Sequence, residues 1–233
     1  GVRGGDQPEH RRYHPAWEKT ARLFVVSSPM MPSKDIKTFE KALRSTPFGA
    51  ELLAKDPDLL KKVDIHVYKP PLASVNGGIS FPADMTDGMD DRYVIGIPEG
   101  YDMSKPDHVG LLAHELMHAY QREHAIYPDR RFDFTDVAME REAYTFGDAV
   151  EIDLWHQRGD NAPVWLEDEL VNLTKNGSTA TEAVFARDVA GVYKNAPAGH
   201  GGTLEAAGFS TGTIGYLRQM VDAINIKRGT KTP

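Results

Sequence analysis

The 233-residue sequence contains no cysteine, which excludes disulfide bonds and metal sites with thiolate ligands. It also lacks any apolar run approaching the ~20 residues that a membrane-spanning helix needs. Basic residues are in deficit, since 27 Lys and Arg stand against 34 Asp and Glu and give a net charge of −7. This balance argues against sequence-independent binding to nucleic acid. The absence of cysteine indicates neither an oxidising nor a reducing compartment.

The chain begins at Gly1 without an initiating methionine. This start favours a processed protein that is exported (periplasmic or secreted) after removal of a leader, and a cytoplasmic protein trimmed at a loose N-terminus is the alternative. Residues 1–17 are polar and are expected to form that loose segment. Residues 18–233 are expected to form one domain, with a helical C-terminal part from about 160.

The most informative pattern is His-Glu-x-x-His, formed by His114, Glu115 and His118. Residues four apart share one face of a helix, so both imidazoles can bind the same metal ion. Glu115 lies about 100° around the helix, where it can reach a metal-bound water and act as a general base. Apolar residues recur beside the histidines at helical spacing, and a capping box at Ser104–Asp107 is expected to open the helix. Two core histidines without a metal are the alternative, but burying them without partners is costly.

A catalytic zinc site needs a third protein ligand and leaves one position to water. No His-x-x-Gly-x-x-His sequence continues from His118, so the ligand must come from another element. The next predicted helix, Val137 to Arg158, carries Glu140 and Glu142, whose side chains leave it about 200° apart. Glu140 shares its face with small residues such as Gly147, which would permit close packing against the first helix. We therefore predict that Glu140 binds the metal and that Glu142 is a solvated surface charge.

Two segments carry a resemblance to known proteins: His-Glu-Leu-Met-His-Ala-Tyr-Gln at 114–121 and Glu-Arg-Glu-Ala at 140–143. They resemble the gluzincins, zinc peptidases with two histidines and a glutamate, and most closely uncharacterised bacterial metallopeptidases. The resemblance covers about 50 residues around the motif. It implies that His114, His118 and Glu140 bind Zn²⁺ and that Glu115 is the catalytic base. It also implies a minimal zincin-like α+β fold.

In that fold, a small antiparallel or mixed sheet packs on the His-Glu-x-x-His helix and the glutamate helix, and a helical C-terminal section follows. Thermolysin-like members carry an aspartate four residues after the glutamate ligand, and that aspartate orients a histidine. The equivalent residue here is Tyr144. The partner of the histidines is therefore expected elsewhere, at Asp148 or at a backbone carbonyl.

Alternation and capping residues predict the other elements. Strands are expected at Arg22–Val26, Val63–Tyr68 and Arg92–Ile97, with a middle strand near Ile79–Phe81 that would complete an antiparallel meander. Further helices are expected at Ser33–Leu43, Pro47–Leu53, Pro163–Lys175, Thr181–Lys194 and Thr211–Ile226. The strand at Arg92–Ile97 precedes the metal helix, and it is expected either to pair with an extended substrate or to be an ordinary interior strand.

Hydrolysis of an amide also needs a hydrogen-bond donor for the tetrahedral oxyanion. Residues of the right type are His124, Tyr144, Tyr193, His200 and Tyr216, whereas His10, His14 and His156 are expected at the surface. Three functions remain: a zinc peptidase acting on peptides or proteins, a zinc amidase acting on a non-peptide substrate, and a catalytically idle metal-binding adaptor. Glu115 favours the two hydrolases, because an adaptor needs metal ligands but no general base.

Overall fold

The computed structural model describes residues 28–69, 79–81, 92–126, 137–174 and 204–229. Helices in these ranges are α1 (Ser33–Arg44), α2 (Pro47–Lys55), α3 (Pro106–Glu123), α4 (Val137–Gln157), α5 (Val164–Thr174) and α6 (Thr211–Lys227). Strands are β1 (Val63–Tyr68), β2 (Ile79–Phe81) and β3 (Tyr93–Pro98), and a 3-10 turn at Leu59–Lys62 leads into β1. The α+β class is confirmed. None of the described helices is both long and apolar enough to cross a membrane.

Several expectations concern residues outside these ranges. They are the loose segment 1–17, the strand at Arg22–Val26 and the helix at Thr181–Lys194, together with His10, His14, Tyr193 and His200.

The three strands form a mixed sheet in the order β1-β3-β2. β1 pairs with β3 in parallel over its full length, and β2 pairs antiparallel with the middle of β3. The expected antiparallel meander is therefore wrong, because alternation of apolar residues predicts a strand but not its neighbour or its direction. β3 has a strand on each side, so the expectation that it is an ordinary interior strand is confirmed, and the alternative that it pairs with a substrate is wrong. Among the described strands, β2 forms the edge beside β3.

Local sequence explains where the helices start and stop. Thr46 caps α2, since its hydroxyl accepts a hydrogen bond from the Gly49 amide at 3.0 Å. The expected capping box of α3 is wrong: the cap residue is Lys105, which makes no side-chain cap. The amide of Ser104 is held instead by Asp102 Oδ1 at 2.9 Å. α4 stops just before Gly159, whose φ of +76° suits glycine.

Helices α3 and α4 pack against each other and run antiparallel, since Gly110 of α3 meets Gly147 of α4 and Gln121 of α3 meets Met139 of α4. A Cβ added at Gly147 would lie 2.9 Å from the Gly110 carbonyl oxygen and 3.1 Å from the His114 Cβ. The close crossing predicted from the small residues of α4 is confirmed. Helix α5 packs on α4 and α6 on α5, so α4 is buried on nearly every side.

Candidate metal centre

His114 and His118 bring their imidazoles together on the buried face of α3. Their side chains are 9% and 5% exposed. The two Nε2 atoms are 3.1 Å apart, and the rings meet edge to face with centroids 4.7 Å apart. Two unprotonated ring nitrogens at this distance would point lone pairs at each other unless a proton or a cation were shared between them. This arrangement is expected of two ligands of one metal ion.

Glu140 supplies the third donor from α4. Its Oε2 lies 3.3 Å from the Nε2 of His114 and 3.3 Å from the Nε2 of His118. Zinc bonds to nitrogen and oxygen are about 2.0–2.1 Å long, so donors at the corners of a tetrahedron are about 3.3–3.4 Å apart. The observed triangle is close to one face of such a tetrahedron. The three donors therefore fit zinc in number, chemistry and spacing.

The charge of Glu140 is stabilised by the same contacts. Burial of this carboxyl group opposes its ionisation, but the neighbouring His118 and His114 outweigh burial and hold the pKa of Glu140 well below its usual range. The carboxylate is therefore ionised over the whole physiological range, as a metal ligand must be.

Glu115 lies beside this triangle and is 5% exposed. One of its carboxyl oxygens is within 4.8 Å of a ring nitrogen of each histidine, so proximity alone would also permit it as a ligand. The shorter 3.3 Å distances favour Glu140. Burial and the charge of Glu140 raise the pKa of Glu115 to about 7, against the opposing effect of His114 and Arg122. A carboxyl group with this pKa suits proton transfer near neutral pH.

Gln121 is a further residue of the site that the sequence reasoning did not assign. It follows His118 by three residues on α3 and is 1% exposed. Its Oε1 lies 2.9 Å from the His118 Nδ1, and its Nε2 donates to the Met139 carbonyl oxygen and to Glu142 Oε1, each at 2.9 Å. A polar residue one turn beyond the second histidine was the available signal.

Glu142 is fully buried, with 0% exposure, so its interpretation as a solvated surface charge is wrong. Its carboxylate lies behind Gln121, on the far side of the amide from His118. The distances support the choice of Glu140, whose Oε2 lies 3.3 Å from the Nε2 of each imidazole.

Asp148 does not serve as the partner of His118, which has Gln121. Its carboxyl group hydrogen-bonds that of Glu169 from α5, and its Oδ2 has no hydrogen-bond partner within the described ranges. Burial and the nearby Glu169 and Glu151 raise the pKa of Asp148 well above its usual range. The two buried carboxyl groups therefore share a proton rather than both carrying charge.

Tyr144 is the oxyanion candidate that the structure places beside the histidines. Its ring meets the His114 ring edge to face with centroids 4.3 Å apart. Burial, with the charges of Glu140 and Glu115, raises the pKa of Tyr144, so the phenol keeps its proton and remains a donor.

The other described candidates have different partners. His124 bonds Asp56 at 2.9 Å, and Tyr216 donates to Asp153. His156 is exposed, as predicted.

Tyr68, at the end of β1, interacts electrostatically with Glu115. It is 1% exposed, and burial followed by the charge of Glu115 raises its pKa. The sequence indicated only that Tyr68 belongs to a strand, because its interaction with Glu115 depends on the tertiary packing.

The arrangement thus brings together two imidazoles, one ionised carboxylate, a carboxyl group with a raised pKa and a protonated phenol. No protein-family model matches the chain, and the searches of curated proteins and of solved structures found no significant match.

Proposed function

We propose that this protein is a zinc-dependent metallopeptidase with a zincin-like site, in which His114, His118 and Glu140 hold the ion. The observation that carries the proposal is the triangle of donor atoms with sides of 3.1, 3.3 and 3.3 Å, with Glu115 beside it. The donor set contains imidazole and carboxylate without thiolate, which is typical of catalytic zinc sites.

Zinc bound at these residues would polarise a water molecule and lower the pKa of that water. Glu115 would receive the proton of that water and deliver it. Glu115 in its carboxylate form takes the proton from the attacking water, and the same oxygen then delivers it to the leaving amine. Burial raises the pKa of Glu115 in the metal-free site, and a bound cation would favour the carboxylate form that accepts the proton.

Tyr144 donates its phenol proton in a hydrogen bond to the oxyanion that forms on the substrate carbonyl. Its ring is fixed by the edge contact with His114, and its raised pKa keeps the hydroxyl protonated. A donor held in place in a buried site stabilises developing charge more strongly than a donor in water.

The test is cleavage of a peptide library by zinc-loaded protein, with products identified by mass spectrometry before and after chelation and after zinc is restored. Glu115→Gln should keep its fold and its zinc but lose a factor of about 10² to 10⁴ in rate, because the amide cannot accept the proton. Glu123→Gln is the matched control on the same helix, since Glu123 bonds Tyr93 and Lys62 and lies away from the metal ligands.

Full activity in Glu115→Gln would refute the role of that residue. Zinc-dependent hydrolysis of small amides without cleavage of any peptide would replace the peptidase by an amidase. Stoichiometric zinc without hydrolysis of either substrate class would favour an adaptor.

A further inference from the structure

Three buried side chains connect the second histidine to helix α4. His118, Gln121 and Glu142 are 5%, 1% and 0% exposed, and each hydrogen bond that links them is 2.9 Å long. The Met139 carbonyl oxygen is a second acceptor for the Gln121 amide, also at 2.9 Å. We refer to these three side chains and the Met139 carbonyl as the Gln121 relay.

The hydrogen bonds of the Gln121 relay determine the orientation of the Gln121 amide group. A carbonyl oxygen such as that of Met139 can only accept a hydrogen bond, so the group facing it must be the NH₂ of Gln121. The amide oxygen therefore faces His118 Nδ1, and that nitrogen must carry the imidazole proton. A bound metal ion would then meet the lone pair of His118 Nε2, on the side of the ring that faces His114 and Glu140.

The relay also ties the position of Glu140 to that of His118. Its two anchors on α4, the Met139 carbonyl and the Glu142 carboxylate, come just before and just after Glu140 in the sequence. An interaction that fixes Met139 and Glu142 against α3 therefore fixes the intervening residue as well. Thermolysin-like peptidases orient a histidine with an aspartate at the position of Tyr144, whereas in this chain Gln121, on the histidine helix, contacts His118.

We propose that Gln121 is the positioning residue that holds His118 as the Nδ1–H tautomer, with Glu142 and the Met139 carbonyl holding Gln121. The proposal rests on the proposed function only where zinc is concerned, because the tautomer can be measured without metal. Loss of a residue that orients a metal-binding histidine typically lowers metal affinity about 10- to 100-fold.

The first measurement is the ¹⁵N chemical shift of both ring nitrogens of His118 in the metal-free protein, which distinguishes the two tautomers. Wild type should show Nδ1–H. Gln121→Leu removes the acceptor at similar size and should shift His118 to a mixture that includes Nε2–H. Zinc affinity, measured by competition with a chromophoric chelator, should fall about 10- to 100-fold in the same variant.

Gln157→Leu is the matched control, because Gln157 also connects two parts of the chain through its amide but lies away from the histidines. Its Nε2 donates to the Ser45 carbonyl oxygen at 3.0 Å and to Asp153 at 2.9 Å. This variant should lose stability without changing the His118 tautomer or the zinc affinity. Equal effects of the two variants on either quantity would overturn the proposal.

A further test exchanges the two partners. Gln121→Glu alone places two carboxyl groups side by side and leaves the Met139 carbonyl without its donor, so it should lower stability. Adding Glu142→Gln restores a donor facing an acceptor at the contact between residues 121 and 142 only. A carboxylate at residue 121 also accepts from His118 Nδ1, so both variants should keep the Nδ1–H tautomer, and the double variant should regain part of the stability and zinc affinity that Gln121→Glu loses. Failure of the pair to improve on Gln121→Glu would contradict the relay.

The outcomes separate the two proposals. An Nε2–H tautomer in wild type, or an unchanged tautomer in Gln121→Leu, overturns the relay even if zinc binds. The expected tautomers in a protein that binds no zinc uphold the relay and overturn the metallopeptidase. If Gln121→Leu does not fold, the wild-type tautomer and the double variant still decide the question.

Discussion

Gly147→Ala tests the close crossing of α3 and α4 that positions the metal ligands. A new Cβ would lie 2.9 Å from the Gly110 carbonyl oxygen and 3.1 Å from the His114 Cβ, so backbone as well as side chain would have to move. Alanine improves helix propensity by about 1 kcal/mol over glycine. Overpacking a tight contact typically costs about 1–3 kcal/mol, and contact with backbone belongs near the upper end. We expect a net loss of about 1–2 kcal/mol.

The matched control is Gly215→Ala on α6, where a new Cβ would have no atom of the described residues within 4 Å. This variant should gain about 1 kcal/mol from helix propensity alone. Free energies of unfolding from urea titration of both metal-free variants should therefore differ by about 2–3 kcal/mol. Zinc affinity should fall in Gly147→Ala only, because the displaced helix moves His114 away from Glu140. Equal stabilisation of the two variants would refute the reasoning.

Two further predictions concern buried ionisable groups. Burial and the charges of Asp107 and Glu169 raise the pKa of Glu151 to about 7, against a hydrogen bond from Trp155 that lowers it. Between about pH 4.5 and about pH 7 this carboxyl group ionises in the unfolded state but stays neutral in the folded state, so the free energy of unfolding falls as the pH rises. Glu151→Gln removes this loss. Relative to wild type, the variant should therefore gain up to about 3 kcal/mol between about pH 5 and about pH 8. Urea titrations at both pH values check this, and parallel curves for variant and wild type would contradict it. Tyr144→Phe should lower kcat for peptide hydrolysis about 10²- to 10³-fold with little change in zinc affinity. The control Tyr216→Phe should leave kcat nearly unchanged. Equal kcat values for the two variants would exclude Tyr144 as the oxyanion donor.

The helices and the proximity of His114, His118 and Glu140 could be predicted because they depend on local spacing. Helix α4 was expected at Val137 to Arg158 and lies at Val137–Gln157. The preference for Glu140 over Glu142 came from the angle between their side chains and from the small residues on the Glu140 face. Both arguments use only the geometry of one helix.

The direction of the sheet strands and the partners of the buried polar groups could not be predicted in this way. Glu142 was expected in solvent because a glutamate is rarely buried without a partner, and its burial depends on α4 being covered by both α3 and α5. Gln121 meets Met139 and Glu142 only after the two helices have docked. These contacts join residues about 20 apart in the chain, and no local pattern encodes them.

Zinc affinity in a small set of glutamate variants tests the account most directly. Competition with a chromophoric chelator should show one zinc per chain in wild type. Glu140→Ala should lose more affinity than the about 10- to 100-fold expected for Glu142→Ala, which acts only behind the ligand His118. The exposed control Glu123→Ala should bind as wild type does. A greater loss in Glu142→Ala than in Glu140→Ala, or less than stoichiometric zinc in the metal-replete wild type, would contradict the assignment of His114, His118 and Glu140 as the metal site.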